Sequence, residues 1–313
     1  MKRREFIRKS LGITLASGVV LATASYARAA FRGNTDFPAS EPAEGDYDLV
    51  AVRGGEPDEM FVKGILAMGG MEKFVKRGQT VVVKPNIGWD VPPERAANTN
   101  PKLVGKIVEL CYKAGAKKVT VFDNPCDEWT RAYKNSGIQD AVIAAGGQMI
   151  SGKDQSLYKT VNVPKGVTLK SADVHEEILN SDVFINVPVL KNHGGATMTL
   201  SMKNLMGVVW DRGWWHRNGL PQCIADFATF RKPDLNVIDG YNVMKRNGPR
   251  GVSVNDLVNM KYQLISTDMV AIDVAASKVF GMDIDKVKYI GLAEKLGVGT
   301  TNLQSLKIKR IAI

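Results

Sequence analysis

Lys84, Asn86, Asp123, Lys191, His193, Lys203, Asn204 and Asp239 are the residues whose types and spacing carry chemistry in this chain. Most of them follow an apolar run that reads as a buried strand. Val81-Val82-Val83 leads into Lys84-Pro85-Asn86, and Val119 to Phe122 into Asp123-Asn124. Val183 to Val189 leads into Lys191-Asn192-His193, and Leu235 to Ile238 into Asp239-Gly240. If these strands are parallel, their ends share one edge of a sheet, the edge at which open α/β folds bind ligands. Lysines brought close together repel unless an anion or an aspartate sits between them. Three lysines with two aspartates therefore suit a phosphate- or carboxylate-bearing ligand, with or without a metal ion.

Within that set, Lys191 and His193 are the best candidates for direct contact and catalysis, because an imidazole titrates in the useful range and Gly194-Gly195 leave room for approach. Lys84, Asn86, Lys191, His193, Lys203 and Asn204 are the expected cofactor-binding residues. Asp123, His193 and Asp239 are the candidate metal ligands. The blander alternative gives His193 to a turn, the lysines to solvent and the two aspartates to helix caps or loop pins.

The elements that must position these groups follow an alternating pattern. Strands are expected at 47–52, 79–84, 118–122, 182–189, 234–239, 263–266 and 306–311. Pro188 is expected to end its ladder, since proline gives no amide hydrogen to a central strand. Helices are expected at 57–70, from Pro101 behind the cap Asn100, at 131–145 with a break near Gly137, and at 176–181. Further helices are expected at 196–209, 222–230, from Asp268 to Phe280, and at 287–296. A hairpin of 158–163 with 168–170 turns about Pro164-Lys165-Gly166. The fold class is thus three-layer α/β, with a mostly parallel, mixed sheet and helices on both faces. Trp210 to His216, with three tryptophans, is expected beside or over the lysine cluster.

Half of the formal charge of +10 sits in the first 29 residues, where Lys2, Arg3, Arg4, Arg8, Lys9 and Arg28 face only Glu5. The modest remainder gives no reason to expect nucleic acid. Residues 1–29 combine a basic start, a short apolar stretch and Ala27-Arg28-Ala29, the layout of a cleaved export signal. Arg3-Arg4-Glu5-Phe6-Ile7-Arg8-Lys9 resembles a twin-arginine motif. A periplasmic address is therefore expected, with the twin-arginine machinery as a partner and no stable membrane span after cleavage. Residues 30–46 read as a linker, and 47–313 as a single α/β domain with an excursion at 147–174.

Cys111, Cys126 and Cys223 form no C-x-x-C pair, so there is no sequence-local iron–sulfur or zinc motif. G-x-G-x-x-G after the first strand, a G-x-x-x-x-G-K-[ST] loop and G-x-S-x-G are also absent.

The longer motifs carry a family likeness. Val83-Lys84-Pro85-Asn86, Phe122-Asp123-Asn124-Pro125, Asn186 to His193, Ser201-Met202-Lys203-Asn204-Leu205-Met206-Gly207, Val237-Ile238-Asp239-Gly240 and Asn247-Gly248-Pro249 resemble the domain-of-unknown-function family 362. The resemblance implies the fold and names no reaction. Some members of that family carry a cysteine-rich ferredoxin segment, which this chain lacks, and Asn192 stands where members typically have threonine. Two functional classes stay open: a periplasmic, redox-related enzyme or accessory binding an anionic ligand, cofactor or metal ion, or a non-catalytic binding or maturation partner of a periplasmic redox enzyme.

Overall fold

Alternation of buried strands and capped helices runs the length of residues 45–313, which the computed structural model describes. The expected leader over 1–29 and nearly all of the 30–46 linker lie outside the described residues. In chain order the elements begin with β1 (Leu49–Arg53), α1 (Pro57–Ala67), β2 (Thr80–Pro85), α2 (Pro101–Lys113) and β3 (Lys118–Val121). There follow α3 (Trp129–Asn135), α4 (Ile138–Ala144), β4 (Gln148–Met149), β5 (Tyr158–Asn162), β6 (Ser171–His175) and α5 (Glu176–Asn180). The site-bearing middle is β7 (Val183–Val187), β8 (Val189–His193), β9 (Thr197–Thr199), α6 (Ser201–Asn204), α7 (Arg212–Arg217) and α8 (Leu220–Phe227). The chain closes with β10 (Leu235–Met244), β11 (Leu257–Ser266), α9 (Met269–Phe280), α10 (Lys288–Lys295) and β12 (Ile308–Ala312).

The main sheet runs β12-β1-β11-β10-β7-β2-β3-β4, with β8 on β10 and β9 on β8. Parallel pairing joins β10, β7, β2, β3 and β4, while β11 runs antiparallel to both of its neighbours. Helices cover both faces, giving the three-layer mixed α/β fold. Side chains alternate faces along a strand. Val81, Val83, Val183, Ile185 and Val187 accordingly meet Phe61, Leu103, Ile107 and Tyr133 from α1, α2 and α3 in one apolar core. Lys84 and Asn186 alternate with these core residues, so they lie on the other face, where Asn186 Nδ2 donates to the carbonyl and hydroxyl of Ser201 in α6 (3.0 Å each). The sheet is dry on one side and polar, but hydrogen-bonded, on the side that leads to the site.

One expectation about this region holds in part and another is corrected. The β7 ladder stops at Val187, just before Pro188, but pairing resumes beyond it as β10 changes partner, from β7 at Leu235 and Asn236 to β8 at Asp239 and Met244. The Asp239 amide donates to the Pro188 carbonyl at 2.9 Å, an acceptor that proline still supplies. Residues 196–209 do not form one helix. Thr197 to Thr199 pairs back on β8, with His193 opposite Thr197 and Lys191 opposite Thr199. The β-branched threonines suit that ladder. Helix starts only at Ser201, where the buried carboxylate of Asp273 accepts the amides of Ser201 (2.7 Å) and Met202 (3.1 Å). The hairpin also differs from expectation, since β5 pairs with 171–175 rather than 168–170.

Candidate functional site

The ends of β2, β3 and β8, together with α6 and α7, enclose a cavity of about 250 Å³. Lys84, Asn86, Asp123, Lys191, His193, Lys203 and Asn204 all line it. Asp239 is not among its lining residues. Its carboxylate accepts the amides of Asn100 (2.7 Å) and Tyr241 (3.1 Å), pinning the start of α2 to β10, and burial pushes it up to about 6.

A chain of polar contacts crosses the floor. Lys84 reaches Oδ1 of Asp123 at 3.0 Å, with both side chains almost wholly buried. The other oxygen of Asp123 accepts the Ile87 amide at 2.7 Å, so this carboxylate ties the loops after β2 and β3 together. Lys84 also donates to Oδ1 of Asn204 (3.0 Å), which accepts Nδ2 of Asn86 as well (2.8 Å). Oδ1 of Asn86 in turn accepts from Lys191 at 2.9 Å. Every amide orientation is thereby set, because each oxygen faces a donor and each nitrogen an acceptor.

Gly207 makes this packing possible. A Cβ there would lie 1.8 Å from Oδ1 of Asp123 and 2.6 Å from Nζ of Lys84. Only a residue without a side chain lets the backbone pass so close.

The three lysines are in different states. Burial lowers Lys84, an effect its partner Asp123 opposes. Burial and then the neighbouring Lys203 bring Lys191 down to about 7, although its ammonium is held by Asn86 and the Ala97 carbonyl. Burial, and then the Arg212 guanidinium, bring Lys203 to about 8. The Lys203 amine has no hydrogen-bond or ion-pair partner among the described residues. Asp123 is the sole carboxylate among the described lining residues, and it is already engaged with Lys84.

His193 sits in the last position of β8. Its Nδ1 accepts the amides of Gly195 (3.0 Å) and Ala196 (3.2 Å), which leaves the proton on Nε2. Burial, then Lys203 and Lys191, push it down to about 3, so it is a neutral imidazole with a fixed tautomer. Asn192 accepts the Gly248 amide at 3.0 Å and so anchors the loop that brings Pro249 to the cavity.

Several lining residues were not singled out individually in the sequence, although Arg212 and His216 fall in the 210–216 segment expected beside the lysine cluster. Arg212 on α7 donates to the carbonyls of Asn124 and Pro125 and approaches the Cys126 sulfur at 3.6 Å. Cys126, Thr199, Trp89 and His216 also face the cavity. The aromatic segment divides: Trp215 is buried against Phe227 and Trp210 packs on Tyr158, while Arg212 and His216 provide the cavity wall. An isolated arginine in an aromatic run carries no pattern of its own; position after the Asp123 strand end was the only signal that pointed to Cys126.

Among the described residues no group of three or more histidine, cysteine, aspartate or glutamate side chains is placed to hold a metal ion. Of the three expected metal ligands, Asp123 is engaged by Lys84 and the Ile87 amide, Asp239 stands outside the cavity on two backbone amides, and His193 lines the cavity.

The family described as domain of unknown function (DUF362) matches residues 81–278, the stretch that carries every cavity residue named above. A thylakoid-associated protein of Synechocystis sp. is 28% identical over 243 residues, covering 75% of this chain and 73% of that protein. Two solved structures are more distantly similar. One is the lactate racemase apoprotein from Thermoanaerobacterium thermosaccharolyticum, at TM-score 0.42 and 10% identity over 77% of this chain. The other is a protein from Thermotoga maritima, at TM-score 0.45 and 10% identity over 77% of this chain. The chain spans 59% and 60% of their lengths, and a likeness this weak carries nothing about function.

The expected address is corrected by these comparisons. The curated relative is associated with thylakoids rather than a periplasm. The periplasmic reading is withdrawn, and with it the twin-arginine machinery and a periplasmic redox enzyme as partners. Both functional classes framed around that address fall with it. No helix among the described residues is long and apolar enough to cross a membrane.

Proposed function

The chain belongs to the DUF362 family, and from that premise we propose that its cavity binds a small carboxylate- or phosphate-bearing molecule on which Lys191 moves a proton. The observation that carries this reading is the charge balance. Lys203, Arg212 and the protonated fraction of Lys191 share a cavity whose one carboxylate is taken by Lys84. An anion entering there replaces the missing counter-charge, and a buried charge pair is stabilising only when it is completed in this way.

Lys191 suits proton transfer by its geometry. Two of its hydrogens are engaged by Asn86 Oδ1 and the Ala97 carbonyl. The remaining tetrahedral position holds either a third proton or a lone pair. A group at about 7 exchanges between the two near neutral pH, where a general acid or base is most effective. His193 stays neutral and offers its Nε2–H as a donor to a developing negative oxygen.

The test is thermal unfolding of the wild type and of Lys191→Met and Lys203→Met, with and without phosphate, acetate or pyruvate. Ligand binding to the native state raises stability by mass action. The wild type is expected to be stabilised by at least one of these anions, and Lys203→Met to lose that gain while keeping its unliganded stability. No stabilisation of the wild type by any of them contradicts the reading.

A further inference from the structure

Of the three cavity lysines, one is fixed in place by its neighbours while its own amine is left free. α6 is anchored at its start by Asp273, through the Ser201 and Met202 amides. Asn204, the next residue after Lys203, is locked by Lys84, Asn86 and Asn186. Lys203 therefore stands on an anchored turn and lines the cavity, and its amine has no hydrogen-bond or ion-pair partner among the described residues. Lys84 and Lys191, by contrast, are tied to Asp123 and Asn204, and to Asn86 and Ala97.

We propose that Lys203 is a nucleophilic amine that forms an imine with the carbonyl of a short 2-oxo acid, whose carboxylate is held by the cations around it. The proposal rests on the anion-binding reading above and names the substrate class for that site.

A lysine attacks a carbonyl only as the free amine, and burial beside other cations is how proteins make that form available. Burial and Arg212 bring Lys203 to about 8, so a usable share of it is unprotonated near neutral pH. The remaining charged and titratable groups at the cavity divide by sign. Arg212 and Lys84 disfavour its ammonium, Cys126 and Asp123 favour it, the latter while paired with Lys84, His193 is neutral, and His216 is lowered by burial. Cys126 shares the wall with Arg212.

The step is balanced without a redox partner. The Lys203 nitrogen adds to the carbonyl carbon, the carbonyl π pair moves to oxygen, and that oxygen takes up a proton. The nitrogen gives up one proton, the hydroxyl leaves as water after a second protonation to give the iminium, and loss of the second nitrogen proton gives the imine, so the two protons taken up by oxygen match the two released by nitrogen. Lys191, which lines the same cavity, is the group assigned to supply and recover these protons. A carboxylate beside the carbonyl gives Arg212 its anion, and a cavity of about 250 Å³ admits a molecule of a few carbons.

The experiment incubates the full chain with pyruvate and sodium cyanoborohydride near pH 8, followed by intact mass and peptide mapping. The expected result is one reduced pyruvyl unit per chain, located on Lys203. It is lost in Lys203→Arg, which keeps the cation but lacks the amine nucleophile, and acetone, which has no carboxylate, traps less. No adduct in the wild type, an adduct on Lys191, or adducts scattered over exposed lysines overturns the assignment. Mapping in the wild type decides the matter even if the arginine variant fails to fold. Pyruvate or phosphate stabilisation that persists without trapping overturns the imine alone; loss of both overturns the anion-binding reading as well.

Discussion

Nζ of Lys191 lies 2.9 Å from Oδ1 of Asn86, so this buried lysine meets a neutral amide where an ion pair would have held its charge. The amide solves a geometric problem, since its nitrogen passes the contact on to Asn204, which serves Lys84. Replacing Asn86 by Asp puts a carboxylate beside Lys191. An opposite charge at that range favours the ammonium. Asn86→Asp is therefore expected to raise the Lys191 titration well above about 7 and to weaken anion binding, because the carboxylate takes the ligand's place. Calorimetric titration with phosphate checks it, and unchanged affinity would count against the role given to Lys191.

Anion binding is expected to be pH-dependent with a definite sign. Lys191 and Lys203 are both lowered, to about 7 and about 8. Their protonated forms attract the ligand, so affinity is full below about 7 and falls as pH rises through 8. The groups facing them do not reverse this: Lys84 and Arg212 are cations, His193 is held neutral, His216 is lowered by burial, and Asp123, engaged by Lys84, and Cys126 act the other way without restoring the ordinary lysine value. Stability of the unliganded protein runs the other way. Between about 7 and the ordinary lysine value of 10.5 the unfolded chain binds more protons, so the contribution of these lysines rises with pH. Urea unfolding and phosphate calorimetry at several pH values check both slopes.

Gly207→Ala is expected to destabilise the protein by about 3–5 kcal/mol, the usual effect of breaking a buried pair and stranding its charges. The new methyl group has no room beside Asp123 and Lys84. Gly291→Ala in α10 is the matched control, since a Cβ there meets nothing within 4 Å. Alanine there should stabilise by about 0.5–1 kcal/mol through helix propensity. Chemical denaturation of the two variants measures both; a Gly207→Ala protein of native stability would mean the ion pair can relax at little cost.

Much of the fold was legible because its cause is local. Apolar runs such as Val81-Val82-Val83 and caps such as Asn100, whose side chain accepts the Lys102 amide at 3.0 Å, are short-range signals. The strand-end lysines were legible for the same reason. What escaped was set by partners distant in sequence. Thr197 to Thr199 became a strand because β8 lay beside it, and α6 began where Asp273, 72 residues downstream, could take its amides. Arg212 entered the site through contacts with carbonyls 88 and 87 residues upstream. Asp239 was misplaced because a strand-end aspartate looks the same in sequence whether it faces a cavity or pins a neighbouring loop.

The most direct measurement is the titration of Lys191 itself, by NMR of carbon-13-labelled lysine side chains, with Lys191→Met to assign the signal. A midpoint near 7 is expected in the unliganded protein, displaced upward when phosphate or pyruvate is added, because a bound anion favours the ammonium. A midpoint close to the ordinary 10.5, unmoved by either anion, would contradict it.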